Sequence, residues 1–298
     1  MKVYYPDYYK KFKCIASDCR HSCCIGWEIS VDRDTLQSYA RLDADLCNHI
    51  NSETGIIELC ESGRCPFLCD NGLCRIISDL GEECISHICR EHPRFYHRVT
   101  DRVECGIGMS CEEASRVILS SDNYFEFYSV ERSDAEWADE SDFDAIEYRS
   151  IIYSILSDRA ISVSERIEKI KSEFSILDSI HTFDEWNEIL SELEYLDDEH
   201  RQMISLDLFD AREGYELYLE RFFAYLIFRH LSIATSLENL RARLGFCLLL
   251  LSVFEYNISK IDNDFGKITD VARVISEEIE YSDDNTDTLI FEFESEMM

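Results

Sequence analysis

The part of the chain that follows residue 145 carries apolar residues at helical spacing almost throughout. Val163, Ile167, Ile170 and Phe174, for example, recur every three or four residues and would line one face of an amphipathic helix. No proline follows Pro93 in the sequence, so nothing there argues against long helices. The same periodicity predicts further helices over residues 186–196, 215–231, 237–254 and 271–279.

Residues that cap helices precede several of these segments. A serine or threonine followed three residues later by glutamate is typical of a helix start. Such capping boxes are formed by Ser110 with Glu113, Ser162 with Glu165 and Thr182 with Glu185. Single caps are predicted at Asp32 and Thr269. The first box would place Cys111 in the opening turn of a helix, where backbone N–H groups favour a thiolate.

The first third of the chain is less regular and indicates loops with short helices, and a short strand at Glu28–Val31. An acidic stretch then separates it from the helical part, with carboxylates at Asp134, Glu136, Asp139, Glu140, Asp142 and Asp144. We therefore predict a mainly α protein. A cysteine-rich metal-binding or iron–sulfur-binding domain would span residues 1–125, an acidic linker 126–145 and a helical domain 146–298.

Neither a membrane span nor a secretory signal is predicted. The longest apolar run, Phe246–Phe254, is about half of the roughly 20 residues that a span needs, and it indicates a buried helix instead. Met1–Lys13 mixes tyrosines, lysines and Asp7 without the continuous apolar stretch of a secretory signal. We therefore expect the protein in the cytoplasm and away from the membrane.

The charge balance narrows the class of partner. The chain has 61 acidic and 29 basic residues and a net charge of −32, which would repel the phosphate backbone of a nucleic acid. Nucleic acid is therefore not an expected partner. Such a surface suits a basic protein segment or a substrate that carries lysines, and it is equally suited to solubility alone.

The cysteines carry the candidate chemistry. Thirteen of the fourteen lie at or before Cys111, and the first four follow the pattern C-x4-C-x3-C-C. Disulfides do not persist in a reducing cytoplasm, so dense cysteine favours metal ligation there. Four thiolates select zinc or an iron–sulfur cluster. The adjacent Cys23 and Cys24 cannot point the same way in an extended segment, so the two can serve different sites.

The motifs around these cysteines resemble a known family. The run CIASDCRHSCCIGWEISVD and five shorter motifs, in the same order, are similar to the flagellin lysine-N-methylase family over roughly the first 120 residues. The double-cysteine start is also shared with a broader class of zinc- or iron-chelating proteins. The motifs lie at Cys14–Asp32, Cys65–Leu68, Gly72–Ile76, Leu80–Glu83, Cys89–Arg94 and Met109–Arg116.

This resemblance implies an S-adenosylmethionine-dependent methyltransferase that modifies lysine side chains of flagellin or a similar surface protein. It also implies a cysteine-ligated cofactor, with a four-iron four-sulfur cluster favoured and zinc as the alternative. The metal ligands carried over from the matched motifs are Cys14, Cys19, Cys23, Cys24, Cys65, Cys74, Cys89 and Cys111. Cys47, Cys60, Cys69, Cys84 and Cys105 lie outside these motifs and are expected to be spare thiols.

Two arginines are candidates for binding the carboxylate of the cofactor. Arg94 ends a matched motif, and its other possible role is to donate to a cluster sulfur or a backbone carbonyl. Arg229 ends a strongly apolar helix, where it could instead extend from the core towards solvent. The Gly-rich fingerprint of nucleotide-binding folds is missing, and no catalytic residue can be assigned. A noncatalytic metal-binding interaction module is therefore the alternative function.

Overall fold

A computed structural model describes residues 2–99, 102–132, 139–141, 143–176, 180–209 and 213–295. The chain divides into two compact units that do not follow the chain order. Unit 2 comprises Lys13–Arg94 and Cys111–Glu113, and unit 1 comprises Met1–Phe12, Phe95–Ser110 and Ala114–Met298. The chain thus leaves unit 1 after Phe12 and re-enters it at Phe95.

Unit 1 contains a small mixed sheet whose strand order is β4-β1-β3-β2-β5. Strand β1 pairs parallel to β3, with Val3 opposite Val103, and antiparallel to β4. Val3, Tyr5, Val103 and Cys105 form an apolar cluster between the paired strands. The strands are β1 (Lys2–Pro6), β2 (Arg94–Val99), β3 (Arg102–Ile107), β4 (Phe127–Glu131) and β5 (Asp139–Ser141).

Most of unit 1 is helical, and its core lies between α10 and α11. Nearly all of α10 is buried, and the rings of Phe222 on α10 and Phe254 on α11 stack with centroids 4.2 Å apart. The helices are α5 (Glu112–Leu119), α6 (Ala145–Leu156), α7 (Val163–Phe174), α8 (Phe183–Glu192), α9 (Asp198–Met203), α10 (Glu216–Leu231), α11 (Leu237–Ser259), α12 (Phe265–Ile275) and α13 (Asp283–Ser295). A π-helical turn, Ser276–Glu280, continues α12.

Unit 2 has short elements joined by turns. Its helices are α1 (Arg33–Leu42), α2 (Ala44–Cys47), α3 (Arg75–Leu80) and α4 (His87–Glu91), with 3-10 turns at Ala16–Asp18 and Glu82–Cys84. Tyr39, Leu46 and Phe67 are among the buried residues of its small core. Several cysteines from distant segments pack against this core, among them Cys24, Cys74 and Cys84.

The mainly α fold class is confirmed, and the apolar run Phe246–Phe254 lies inside the buried helix α11 as predicted. Three of the predicted helix starts are also confirmed. Asp32 accepts a hydrogen bond from the backbone N–H of Thr35, and both halves of the capping boxes at Ser162 and Thr182 are present.

Three local predictions differ from the structure. The cap at Thr269 is wrong, because α12 begins four residues earlier and is capped by the side chain of Asp264. Helix α5 begins at Glu112, so Cys111 precedes its first turn. Glu28–Val31 makes only an isolated bridge, between Ser30 and Ile56.

Part of the predicted acidic linker forms strands β4 and β5, while its residues 133–138 and 142 lie outside the described residues. The predicted domain boundaries at 125 and 145 are not tested by the division into units and stay predictions. Among the described helices, none combines the length and apolar character that crossing a membrane requires.

Candidate metal centre

Four of the predicted ligands, Cys24, Cys65, Cys74 and Cys89, converge in unit 2; we call them the first quartet. The backbone N–H of Cys65 donates to the carbonyl of Cys24 at 2.8 Å. A short hairpin carries Cys74 back beside Leu68, and Gly72 turns this hairpin with a φ of 77° that favours glycine. The segment around Cys24 is thereby joined to the distant hairpin that carries Cys65 and Cys74.

The fourth member, Cys89, is placed by helix α4. Ser86 caps this helix and accepts from the backbone N–H of Cys89 at 3.4 Å. The carboxylate of Asp32, which also caps α1, accepts from the backbone N–H of His87 at 3.1 Å. One acidic residue therefore fixes the starts of two helices and, through them, the position of Cys89.

The thiols of the first quartet influence one another electrostatically. Burial raises the pKa of Cys65 to about 12, and the charges of Cys24, Cys89 and Cys74 add to this rise. Desolvation likewise raises the pKa of Cys74 and Cys89, with Cys24 contributing to both. Four thiolates together would repel one another. A positively charged metal centre would remove this repulsion and favour the thiolate forms.

The other four predicted ligands, Cys14, Cys19, Cys23 and Cys111, form a second quartet. Glu112 anchors the loop that carries Cys19: its carboxylate accepts from the backbone N–H of Arg20 at 2.8 Å and of His21 at 3.2 Å. Because Glu112 follows Cys111, these bonds bring Cys19 near Cys111.

Charges connect the members of the second quartet. Desolvation raises the pKa of Cys19 to about 12, with Glu112 and Cys111 adding to the rise. The pKa of Cys23 is also raised, mainly by its hydrogen bond with Cys24, and Cys111 and Cys14 contribute. The second quartet is therefore assembled around Cys23 and Cys111.

The adjacent cysteines belong to different quartets. Cys23 interacts with Cys14 and Cys111, whereas Cys24 interacts with Cys65, Cys74 and Cys89. The hydrogen bond with Cys23 lowers the pKa of Cys24, because it stabilises the Cys24 thiolate.

The donor set of the two quartets bears on the kind of metal that they fit. Each quartet consists of four cysteines. Four thiolates can hold either a tetrahedral zinc ion or an iron–sulfur cluster. The residues of each quartet therefore fit both of the metal centres that the sequence predicts.

The cysteines outside the matched motifs have other surroundings. Cys47 and Cys84 pack against the core of unit 2, and Cys69 lies near Cys74. Cys105 and Cys247 are buried in unit 1. None of the fourteen described cysteines forms a disulfide.

The two candidate arginines lie in different units. Arg94, in unit 2, donates to the carbonyl of Arg90 at 3.0 Å; burial and the charge of Arg94 lower the pKa of His92 to about 4. Arg229, in unit 1, forms an ion pair with buried Glu280, with 3.3 Å between its Nε and Oε1 of Glu280. Cofactor binding by either arginine stays a prediction.

Several polar groups in the structure were not found from the sequence. Glu112 gives no signal beyond its place next to a cysteine. His200, Glu277 and Glu278 have possible metal-ligand atoms within 4.8 Å of one another in unit 1, although His200 is far from the two glutamates in sequence. Arg102 and Glu104 are two residues apart on β3, so their side chains lie on the same face of the strand. The alternation of side chains along a strand could have revealed this pair from the sequence.

Comparison with known proteins identifies the family. A protein of Salmonella muenchen named flagellar biosynthetic protein FliU is 33% identical over 127 residues, which make up 39% of this chain and 75% of that protein. The chain belongs to the flagellin lysine-N-methylase family. The resemblance noted in the cysteine motifs is thereby confirmed.

Two longer members of the family also match. The lysine-N-methylases of Salmonella typhimurium and Salmonella choleraesuis are each 34% identical over 127 residues, and the aligned part covers 39% of this chain but only 32% of each relative. The comparison thus spans about a third of the length of these two enzymes. No protein-family model and no solved structure matches the chain.

Proposed function

We propose that the chain is an S-adenosylmethionine-dependent protein-lysine N-methyltransferase that acts on flagellin or a similar surface protein. The observation that carries this proposal is the family relationship with proteins named lysine-N-methylase and FliU. The net charge of −32 adds support, because it would attract a lysine-bearing protein segment.

The proposal includes an iron–sulfur cluster, for which the first quartet supplies the ligands Cys24, Cys65, Cys74 and Cys89. The family resemblance favours a four-iron four-sulfur cluster over zinc, which is the alternative, and the all-thiol donor set is compatible with both. When bound, the cluster would add covalent links between segments that have only short helices and are joined by turns and isolated bridges. The second quartet offers a further all-thiol site of the same kind.

The reaction requires a neutral lysine nitrogen. Its lone pair would form a bond to the methyl carbon while the carbon–sulfur bond of the sulfonium breaks, which leaves S-adenosylhomocysteine and releases one proton from nitrogen. The unperturbed lysine pKa of about 10.4 means that the enzyme must favour the amine by desolvation or by a base. Alignment of the two reactants would supply much of the acceleration.

The metal proposal is tested on protein purified without oxygen. We expect a visible absorption band with bound iron and sulfide, and we expect Cys89→Ser to lose about half of both if each quartet holds a cluster, and nearly all of both if the first quartet alone does. Cys60→Ser is the matched control, because Cys60 is also exposed but belongs to neither quartet. Protein that holds zinc alone, or equal metal content in the two variants, would contradict the proposed cluster.

The activity is tested by incubating the metal-loaded protein with flagellin and S-adenosylmethionine. Mass spectrometry should detect lysines whose mass rises in steps of one methyl group, and Cys60→Ser should retain this activity. If protein with an intact metal centre methylates neither flagellin nor other lysine-rich surface proteins, the noncatalytic metal-binding module becomes the better description.

A further inference from the structure

A histidine and two glutamates meet in unit 1. His200 lies on helix α9, and Glu277 and Glu278 lie on the π-helical turn that continues α12. One ring nitrogen and one oxygen from each carboxylate lie within 4.8 Å of one another. His200 and Glu278 are 78 residues apart along the chain. The fold of unit 1 therefore brings three side chains of the metal-ligand type together from two distant segments.

The carboxylate of Glu278 is held in place on both of its oxygens. Its side chain is fully buried, and Oε1 lies 2.5 Å from Nδ1 of His200. Oε2 accepts from the backbone N–H of Leu196 at 2.7 Å, and the backbone carbonyl of Glu278 accepts from Asn285 at 2.7 Å. Carboxylates that bind metal are commonly oriented by hydrogen bonds of this kind. One oxygen is thus directed at the imidazole while the other is fixed to the backbone.

This buried carboxylate lacks a permanent counter-charge. Among the ion pairs of the described residues, His200 is the partner of Glu278, and no arginine or lysine pairs with it. An ionised carboxylate is costly to bury unless a positive charge balances it. In the metal-free protein a proton on the imidazole supplies this charge. A divalent cation between the two groups would supply it without the proton.

Glu277 adds a second carboxylate to the cluster. Its Oε2 accepts from Arg273, which also donates to Asp270 at 3.0 Å. This pairing leaves Oε1 of Glu277 for another partner. Three ionised carboxylates, those of Asp270, Glu277 and Glu278, then face one guanidinium, which gives a net charge of −2 when the imidazole is neutral. The charge of a divalent cation matches this balance.

The chemistry of the three side chains narrows the class of ion. Ca²⁺ and Mg²⁺ prefer oxygen ligands, whereas an imidazole nitrogen together with carboxylate oxygens suits first-row transition metals. The side chains of His200 and Glu277 are 23% and 14% exposed, so an ion can reach them from solvent. Three protein ligands would leave further positions of the ion for water.

We propose that His200, Glu277 and Glu278 bind one divalent transition-metal ion, which ties helix α9 to the π-helical turn. The ion would take the ring nitrogen of His200 and one oxygen from each carboxylate, and it would replace the proton between His200 and Glu278. The site uses none of the cysteines of the two quartets. The inference is therefore independent of the proposed methyl transfer.

A second histidine–glutamate pair in unit 1 provides the matched control. Nε2 of His181 lies 2.8 Å from Oε2 of Glu292, and both side chains are partly exposed. Within the described part of the chain, this pair has no third metal-ligand side chain at the distance seen around His200. A pair that only stabilises the fold should behave alike at both places.

The test measures Mn²⁺ binding to the full-length protein after its cysteine quartets have been filled with metal. Mn²⁺ is the probe because thiolates favour softer metals, whereas carboxylates bind it well. Electron paramagnetic resonance measures the free ion at about 0.15 M salt, which screens general attraction to the acidic surface. We expect one bound ion per chain. The spin-echo modulation of the bound ion should show coupling to an imidazole nitrogen.

His200→Gln and Glu277→Gln should each weaken Mn²⁺ binding at least about tenfold. His200→Gln should also remove the nitrogen coupling. The controls His181→Gln and Glu292→Gln should bind Mn²⁺ as tightly as the wild type. Circular dichroism checks the fold of each variant. If His200→Gln does not fold, Glu277→Gln decides the question, because its amide oxygen can still accept from Arg273.

The outcomes separate a built site from an acidic surface. Weaker binding in the site variants alone, with nitrogen coupling in the wild type, supports the site whether or not any lysine is methylated. Equal affinity in the site and control variants would overturn it, because the ion would then bind to the general negative charge. Bound Mn²⁺ without nitrogen coupling in the wild type would overturn it as well.

Discussion

The buried carboxylate of Glu280 should be essential to the stability of unit 1. It ends the π-helical turn with its side chain fully buried, and it accepts hydrogen bonds from Tyr225 at 3.1 Å and from His230 at 2.7 Å. Burial would raise its pKa, but Arg229 and His230 outweigh burial and lower it. Glu280 is therefore ionised and balances the buried charge of Arg229.

Glu280→Gln keeps the shape of this side chain but removes its charge. Arg229 then remains buried without a counter-charge, a change that costs about 3–5 kcal/mol of unfolding free energy in buried ion pairs. Natural domains are stable by about 5–15 kcal/mol, so this loss is a large fraction of the total. With a urea slope of about 2 kcal/mol/M, the unfolding midpoint should fall by roughly 1.5–2.5 M.

Urea titration followed by far-ultraviolet circular dichroism measures this shift, because most of the helical signal comes from unit 1. Glu168→Gln is the matched control: the Glu168 side chain is 61% exposed and paired with Lys171, so its midpoint should barely change. A Glu280→Gln midpoint within about 0.5 M of the wild type would refute the reasoning, because Arg229 would then not depend on this carboxylate.

Three further predictions use the same titration. The hydrogen bond with Glu278 raises the pKa of His200, so its contribution to stability is present below the unfolded pKa of about 6.5 and lost as pH rises through the folded value. His200→Gln should reduce this loss of unfolding free energy with rising pH. An unfolding free energy that depends on pH as in the wild type would contradict the role of His200. Ser162→Ala should cost about 0.5–2 kcal/mol by removing the cap of α7, and no midpoint shift would count against the cap. Gly108→Ala should cost about 1–3 kcal/mol, because the added carbon would collide with the hydroxyl of Tyr281, and wild-type stability would show that this contact relaxes.

Periodicity predicted the helices well where burial follows the sequence pattern. Helices α7 and α8 start at their predicted capping boxes, and α11 contains the predicted apolar run. Capping residues predicted a helix start less well where two possible caps lay within a few residues of each other. Thr269 and Asp264 can both cap a helix, but Asp264 accepts from the backbone N–H of Lys267, whereas Thr269 lies inside α12 and donates to the carbonyl of Gly266. The pairing of β1 with β3 could not be predicted, because contacts between distant strands leave no local pattern.

The sequence predicted which cysteines are candidate metal ligands. It did not predict how these eight cysteines divide into two quartets. Motif order supplied the eight cysteines, but whether one or two sites use them depends on which loops meet. The backbone hydrogen bond from Cys65 to Cys24 and the carboxylate of Glu112 determine that grouping, and both join segments that are distant in sequence. The cluster of His200, Glu277 and Glu278 in unit 1 was missed for the same reason, since its residues come from two distant segments.

The parallel pairing of Val3 with Val103 has a consequence for biosynthesis. At about 5–20 residues per second, a ribosome needs about 5–20 s to make the chain between the two strands. During that time the edges of strand β1 stay unpaired, because β3 has not yet been made. Seven of the eight cysteines of the two quartets are made in the same interval. Nearly all of unit 2, Lys13–Arg94, is therefore made before the N-terminal strand can find its partner.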